Sequence, residues 1–260
     1  MLKQLFNTRG ICLLLMSTLS LLAVTAAAND ALGLPAGVIN GDCELQGKRA
    51  PIVLIHGTFA TTQRAYSRLA PALKEAGHCL FALNYGRQNA FNFYGTMDIN
   101  QSAQQISEFV QSVLARTGAE KVTLIGHSQG GLLAFKIARR PELLRRIDRL
   151  VALAPSLHGT TRVPAAMSSR HCPACAQQSD QSEFMQGFHK DRVNPFGVRS
   201  LIVATRQDVV VTPASRQFLD EPGVTNILLQ DLHPKVVATH SGMLHKPETI
   251  ELVSEFLSQP

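Results

Sequence analysis

Ser128 lies in Gly126-His127-Ser128-Gln129-Gly130, and a serine with glycine two places to either side is a pattern that can do nucleophilic chemistry. A serine hydroxyl attacks well only when a base takes its proton, and that base needs a third group to orient it. The two glycines permit a sharp strand-to-helix turn that forces the serine into a strained, exposed position. Val122-Thr123-Leu124-Ile125 before the pentapeptide reads as a strand, and Gly131-Leu132-Leu133-Ala134 after it as a helix, which is the context such a turn requires. The acid and base should then follow the nucleophile in the chain, from the ends of later strands. Asp208 follows the apolar run Leu201-Ile202-Val203-Ala204 and is the candidate acid. Asp220, at the end of an expected helix, and Asp231, too near the base-bearing loop to have its own strand, are weaker competitors. His240, just before Ser241-Gly242 and the final helix, is the candidate base. His233 and His245 flank it and read as surface or structural residues. His56 precedes the nucleophile and closes a strand, so it also reads as structural.

An acyl-transfer oxyanion needs preorganised hydrogen-bond donors. The backbone N–H of Gln129, the residue after the nucleophile, is one candidate. The backbone N–H of Thr58, in His56-Gly57-Thr58, is the second, with the Thr58 hydroxyl as a candidate third.

The elements that must position these residues alternate along the chain. Strands are expected at Pro51–His56, Cys79–Leu83, Lys121–Ile125, Arg149–Ala154, Arg199–Thr205 and Asn226–Leu229. Helices are expected over Tyr66–Ala76, Ser102–Thr117, Leu132–Arg139 and Pro247–Leu257, the first two stopping at Gly77 and Gly118. Apolar strands separated by helices imply an α/β fold, a mostly parallel central sheet covered by helices on both faces. Residues 156–196 break the alternation and read as a lid or cap insertion, or equally as a surface insertion. Six apolar residues there (Val163, Met167, Phe184, Met185, Phe188 and Phe196) are candidates either to line a cleft or to pack.

The N-terminus supplies a compartment. Lys3 and Arg9, the apolar stretch Ile11–Val24 and the small residues Ala26-Ala27-Ala28 have the order of a signal peptide over residues 1–28, leaving one domain over 29–260. Removing that segment, which contains no acid, lowers the formal charge from +6 to +4. No Lys/Arg run of a nucleic-acid footprint is visible, and no other stretch reaches transmembrane length, so neither a nucleic-acid partner nor an integral membrane segment is expected. Secretion or periplasmic export suits the four cysteines that remain, Cys43, Cys79, Cys172 and Cys175. Cys172-Pro173-Ala174-Cys175 lies in a loop-like region without a second ligand pair for zinc, which favours structural disulfides. Cys43–Cys79 and Cys172–Cys175 are preferred among three pairings.

Taken together these residues resemble the α/β-hydrolase superfamily, and within it the bacterial class 2 lipases. The resemblance is carried by Pro51-Ile-Val-Leu-Ile-His-Gly-Thr-Phe-Ala60, Phe81-Ala-Leu-Asn-Tyr-Gly86, Gly126-His-Ser-Gln-Gly-Gly131, Ala152-Leu-Ala-Pro155 with His158-Gly-Thr160, and Thr239-His-Ser-Gly242. It implies an α/β-hydrolase fold, Ser128, Asp208 and His240 as a triad, Thr58 and Gln129 as oxyanion donors, and no cofactor or metal. It also implies hydrolysis of carboxylic esters such as acylglycerols by a monomer, at an oil–water interface where the substrate is insoluble. The pattern departs at His233-Pro234, where such proteins often carry a cysteine; this puts a disulfide near the His240 loop in question, but not the triad. Two other readings compete. One is a different serine acyl enzyme on the same frame: an acyltransferase, a thioesterase or a cutinase-like polyesterase. The other is a non-catalytic lipid-binding protein, against which the ordered Ser, Asp and His set speaks.

Overall fold

Runs such as Ile52-Val53-Leu54-Ile55 are apolar at every position, and such a strand needs cover on both faces. The computed structural model, which describes residues 33–259 apart from 46, 48, 88–92 and 163–169, shows that cover. The expected signal segment, Val163 and Met167 lie outside the described residues. Six strands, β1 (Ile52–Ile55), β2 (Leu80–Ala82), β3 (Val122–His127), β4 (Ile147–Leu153), β5 (Arg199–Ala204) and β6 (Val224–Leu228), form one sheet in the order β2-β1-β3-β4-β5-β6. Every neighbouring pair is parallel.

Eight α-helices are present among the described residues: α1 (Thr62–Tyr66), α2 (Leu69–Glu75), α3 (Ile99–Thr117), α4 (Gln129–Ala138), α5 (Pro173–Gln177), α6 (Glu183–Phe188), α7 (Leu229–Leu232) and α8 (Pro247–Ser258). Alternate strand residues feed two cores. Val53 and Ile55 pack with α3, α4 and α6, while Ile52 and Leu54 pack with α1, α2 and α8 on the opposite face. Asp98 starts α3 by accepting the Asn100 and Gln101 N–H groups at 2.8 and 3.0 Å, and left-handed Gly118 ends it. That cap begins the helix three residues earlier than its apolar stripe suggests.

The helix expected over Tyr66–Ala76 is α2, Leu69–Glu75, and a separate short helix, α1, ends at Tyr66. Pro71 accounts for the division. A proline has no N–H for the bond to the residue four places back, so it is tolerated in a first turn, and α2 begins at Leu69, two residues ahead of it. The cysteines pair as expected, Cys43 with Cys79 and Cys172 with Cys175. The first ties the lead-in to the start of β2, and the second closes the entry to α5. No described helix is long and apolar enough to cross a membrane.

The direction of the chain reverses across the β1–β3 boundary, since β2 lies to one side and β4, β5 and β6 to the other. Ligands of open parallel sheets bind at such a switch point, beyond the C-terminal ends of the strands. Ile55 pairs with Gly126 in register, so the loops carrying Thr58 and Ser128 leave the sheet side by side.

Candidate active site

Ser128 connects β3 directly to α4 with φ 55° and ψ −122°, a backbone conformation unfavourable for a residue with a side chain. Its two glycines are steric necessities. A Cβ on Gly126 would meet the Gly130 carbonyl oxygen at 2.2 Å, and one on Gly130 would meet the Ile55 carbonyl oxygen at 2.1 Å. The spacing seen in the sequence therefore lets helix α4 press against β1 and β3 and hold the serine at the turn.

Asp208 and His240 come together although 32 residues separate them, with His240 Nδ1 donating to Asp208 Oδ2 at 2.7 Å. Because a carboxylate only accepts, this bond places the proton on Nδ1 and leaves Nε2 as the acceptor. Asp208 receives three further bonds: Val210 N–H and Val211 N–H donate to Oδ1 at 2.8 and 2.9 Å, and Gln217 Nε2 donates to Oδ2 at 2.8 Å. Burial pushes the Asp208 carboxyl up, but the hydrogen bond and charge of His240, with the two loop N–H groups, outweigh it and hold the group below its ordinary 3.8. The competitors lie elsewhere. Asp220 is exposed, and Asp231 is an exposed residue paired with Arg206. His245 is exposed and His233 half-buried.

Ser128, His240 and Thr58 line one cleft of about 430 Å³, with Phe59, Ala60, Val209, Val210 and Val211 supplying apolar walls. No hydrogen bond joins Ser128 to His240 in the structure; such contacts are often long until substrate is bound. The backbone N–H groups of Thr58 and Gln129 take no partner among the described residues, which leaves both available as donors.

His56 is structural, as its strand-end position suggests. Its Nδ1 faces the Gly57 carbonyl at 2.8 Å, its Nε2 accepts the Tyr85 N–H at 3.2 Å, and its ring stacks on Tyr85 at 4.3 Å. Burial lowers it to about 4. Of the apolar residues considered for the cleft, Met185 and Phe188 are core and Phe184 packs against that core, while Phe196 is 89% exposed. None of these four lines the cleft at Ser128.

Three residues at the site, and the side chain of a fourth, have no role in the sequence reading. The His127 Nε2 faces the His240 carbonyl at 3.1 Å, so the residue before Ser128 steadies the loop of His240. Burial, with the charge of His240 adding to it, lowers His127 to about 3 and keeps it neutral. Gln217 braces Asp208. Gln178 and the side chain of Gln129 both reach the Thr58 hydroxyl. His127 and Gln129, by adjacency to Ser128, carry a signal in the sequence, whereas Gln178 and Gln217 carry none.

Comparison with known proteins gives the chain's family and fold. The profile of the family described as lipase (class 2) matches residues 49–252. A triacylglycerol lipase of Pseudarthrobacter phenanthrenivorans is 28% identical over 172 residues, covering 64% of this chain and 45% of the relative. One from Burkholderia plantarii is also 28% identical over 172 residues, covering 64% of this chain and 40% of the relative. The aligned chain therefore spans less than half the length of these two relatives. Among solved structures, Aspergillus fumigatus lipase B superimposes with a TM-score of 0.73 at 21% identity, over 87% of this chain and 55% of that one, which shows a shared α/β-hydrolase fold.

Proposed function

The chain belongs to the class 2 lipase family, and from that premise we propose that it is an exported serine hydrolase of carboxylic esters, acylglycerols among them. The observation that carries the reading is the 2.7 Å bond from His240 Nδ1 to a fully hydrogen-bonded Asp208, in a site where Ser128 occupies a strained turn on the same cleft.

In this mechanism His240 Nε2 takes the Ser128 proton as Oγ attacks the ester carbonyl. The oxyanion forms against the N–H groups of Thr58 and Gln129, and the alcohol leaves with the proton from His240. Water then attacks the acyl-enzyme by the same route, releasing the acid and restoring Ser128. Asp208 fixes the tautomer and stabilises the imidazolium without being protonated itself.

A cleft of about 430 Å³ falls within the range of small-molecule sites, and its apolar walls suit an acyl chain. Phe59, Val209 and Val210 are 39%, 68% and 45% exposed, which supports a site that meets its substrate at an oil–water interface. Two disulfides and the order of residues 1–28 support export. The mature chain should then begin at Asn29, which N-terminal sequencing of protein recovered from periplasm or medium checks.

Hydrolysis of p-nitrophenyl esters from short to long acyl chain, with and without an emulsified triacylglycerol, tests the reading. A defined acyl-length optimum is expected, together with turnover that vanishes in Ser128→Ala. Equal rates at every chain length would remove the case for an acyl pocket, and activity retained by Ser128→Ala would remove the proposed chemistry.

A further inference from the structure

The sequence offers the Thr58 hydroxyl as a third donor beside its backbone N–H, and two side-chain amides converge on that hydroxyl. A threonine hydroxyl has one proton to give and two lone pairs to fill. Gln129 Nε2 and Gln178 Nε2 both donate to Thr58 Oγ1, each at 3.0 Å. Neither amide can be turned round without loss. Gln129 Nε2 also donates to the Gly95 carbonyl at 3.0 Å, and Gln178 Nε2 to the Ala174 carbonyl at 3.1 Å, and a carbonyl oxygen can only accept. Ser156 Oγ donates to Gln178 Oε1 at 2.8 Å and fixes the other end of that amide. With both lone pairs occupied, the Thr58 proton has to point away from the two amides. Thr58 and Ser128 line the same cleft.

Resting on the reading of Ser128 as an acyl-forming nucleophile, we propose that Gln178 is a positioning residue that, with the Gln129 side chain, commits the Thr58 hydroxyl proton to the oxyanion as a third donor. The residues 158–160, His-Gly-Thr, then acquire a purpose. Thr160 N–H donates to the Gln178 carbonyl at 2.9 Å, and Asp180 N–H to the Thr160 carbonyl at 3.3 Å, which seats Gln178 against the cleft. Gly159, at φ 67°, permits the approach, because a Cβ there would meet the Gln178 carbonyl oxygen at 2.8 Å. Gln178 is itself 6% exposed and Gln129 fully buried, so water does not compete freely for Oγ1. Orienting a donor before charge develops avoids reorganisation during the reaction, which is why such groups are worth orders of magnitude in rate.

The test is a double-mutant cycle on one soluble p-nitrophenyl ester, reading kcat and KM separately. Thr58→Val, near-isosteric and without a hydroxyl, should lower kcat about 10²-fold, and Thr58→Ser should restore most of it. Gln178→Met should lower kcat about 10-fold with KM little changed. In the Thr58→Val background Gln178→Met should do nothing further, since no hydroxyl is left to orient. An equal loss from Gln178→Met in both backgrounds would mean a merely structural role and overturns the proposal. So would wild-type kcat in Thr58→Val, a result independent of whether the Gln178 variant folds. Failure of the underlying reading looks different: a folded wild-type chain inert toward esters and fluorophosphonate alike, which takes both proposals down.

Discussion

The two sides of Ser128 are built on different principles. On one side, Asp208 stands on the loop after β5 and His240 on the loop after α7, and their contact is a single charge-assisted bond of 2.7 Å backed by three donors to the carboxylate. On the other, Thr58, Gln129 and Gln178 form a network of neutral amides and a hydroxyl, one of whose members comes from the irregular segment between β4 and β5. In the proposed mechanism the first side depends on charge and tautomer and has a single base, His240, while the second depends on the direction of dipoles. The second has several donors, and loss of one should leave the others working.

That difference orders the expected effects. His240→Ala should reduce kcat about 10⁶-fold, since nucleophile and base act as a unit; a loss of only tenfold on purified, folded protein would show that the proton goes elsewhere. Asp208→Asn should cost about 10⁴-fold. An amide offers one accepting oxygen where the carboxylate takes bonds on both, so either His240 and Gln217 or the Val210 and Val211 N–H groups lose their acceptor. If the two sides are independent, the effects of Asp208→Asn and Thr58→Val should multiply in kcat, and a marked departure from the product would show that the two sides are coupled.

Smaller effects come from titration. Burial keeps His56 near 4 and His127 near 3, so both are deprotonated above pH 5 and neither adds a step there. The acid limb of kcat/KM above pH 5 should then have a slope of one, and a slope of two would implicate a second imidazole. Asp208 contributes to stability in the opposite sense. Its folded pKa lies below the ordinary 3.8, so the contribution is complete above that value and is lost as pH falls through the lower folded one. Acid titration of thermal stability should therefore be shallower below pH 4 in Asp208→Asn than in wild type.

The same division separates what could be read in the sequence from what could not. Ser128 was legible because its glycines answer to a local steric need, His240 because it lies past the last strand and just before the final helix, and Asp208 because an apolar strand precedes it. The parallel sheet was legible for the same reason: alternate residues of β1 enter opposite cores. Gln178 was not, since it meets Thr58 across 120 residues and a glutamine in a polar stretch carries no periodicity to mark it. Gln217 reaches Asp208 from a short 3₁₀ turn, Ala214–Gln217, with no apolar stripe. The two short helices of the 156–196 segment escaped because five and six residues are too few for a helical pattern, although Ser182 caps α6 by accepting the Met185 N–H at 3.1 Å. Charge pairs and strand ends leave local signatures; convergence of neutral amides does not.

The most direct test of the central claim is intact-mass spectrometry after treatment with a fluorophosphonate, carried out on wild-type protein and on Ser128→Ala. The account predicts one adduct per wild-type chain, on the peptide containing Ser128, and none on the variant. Adducts on both proteins at the same rate, or none on folded wild type, would contradict it.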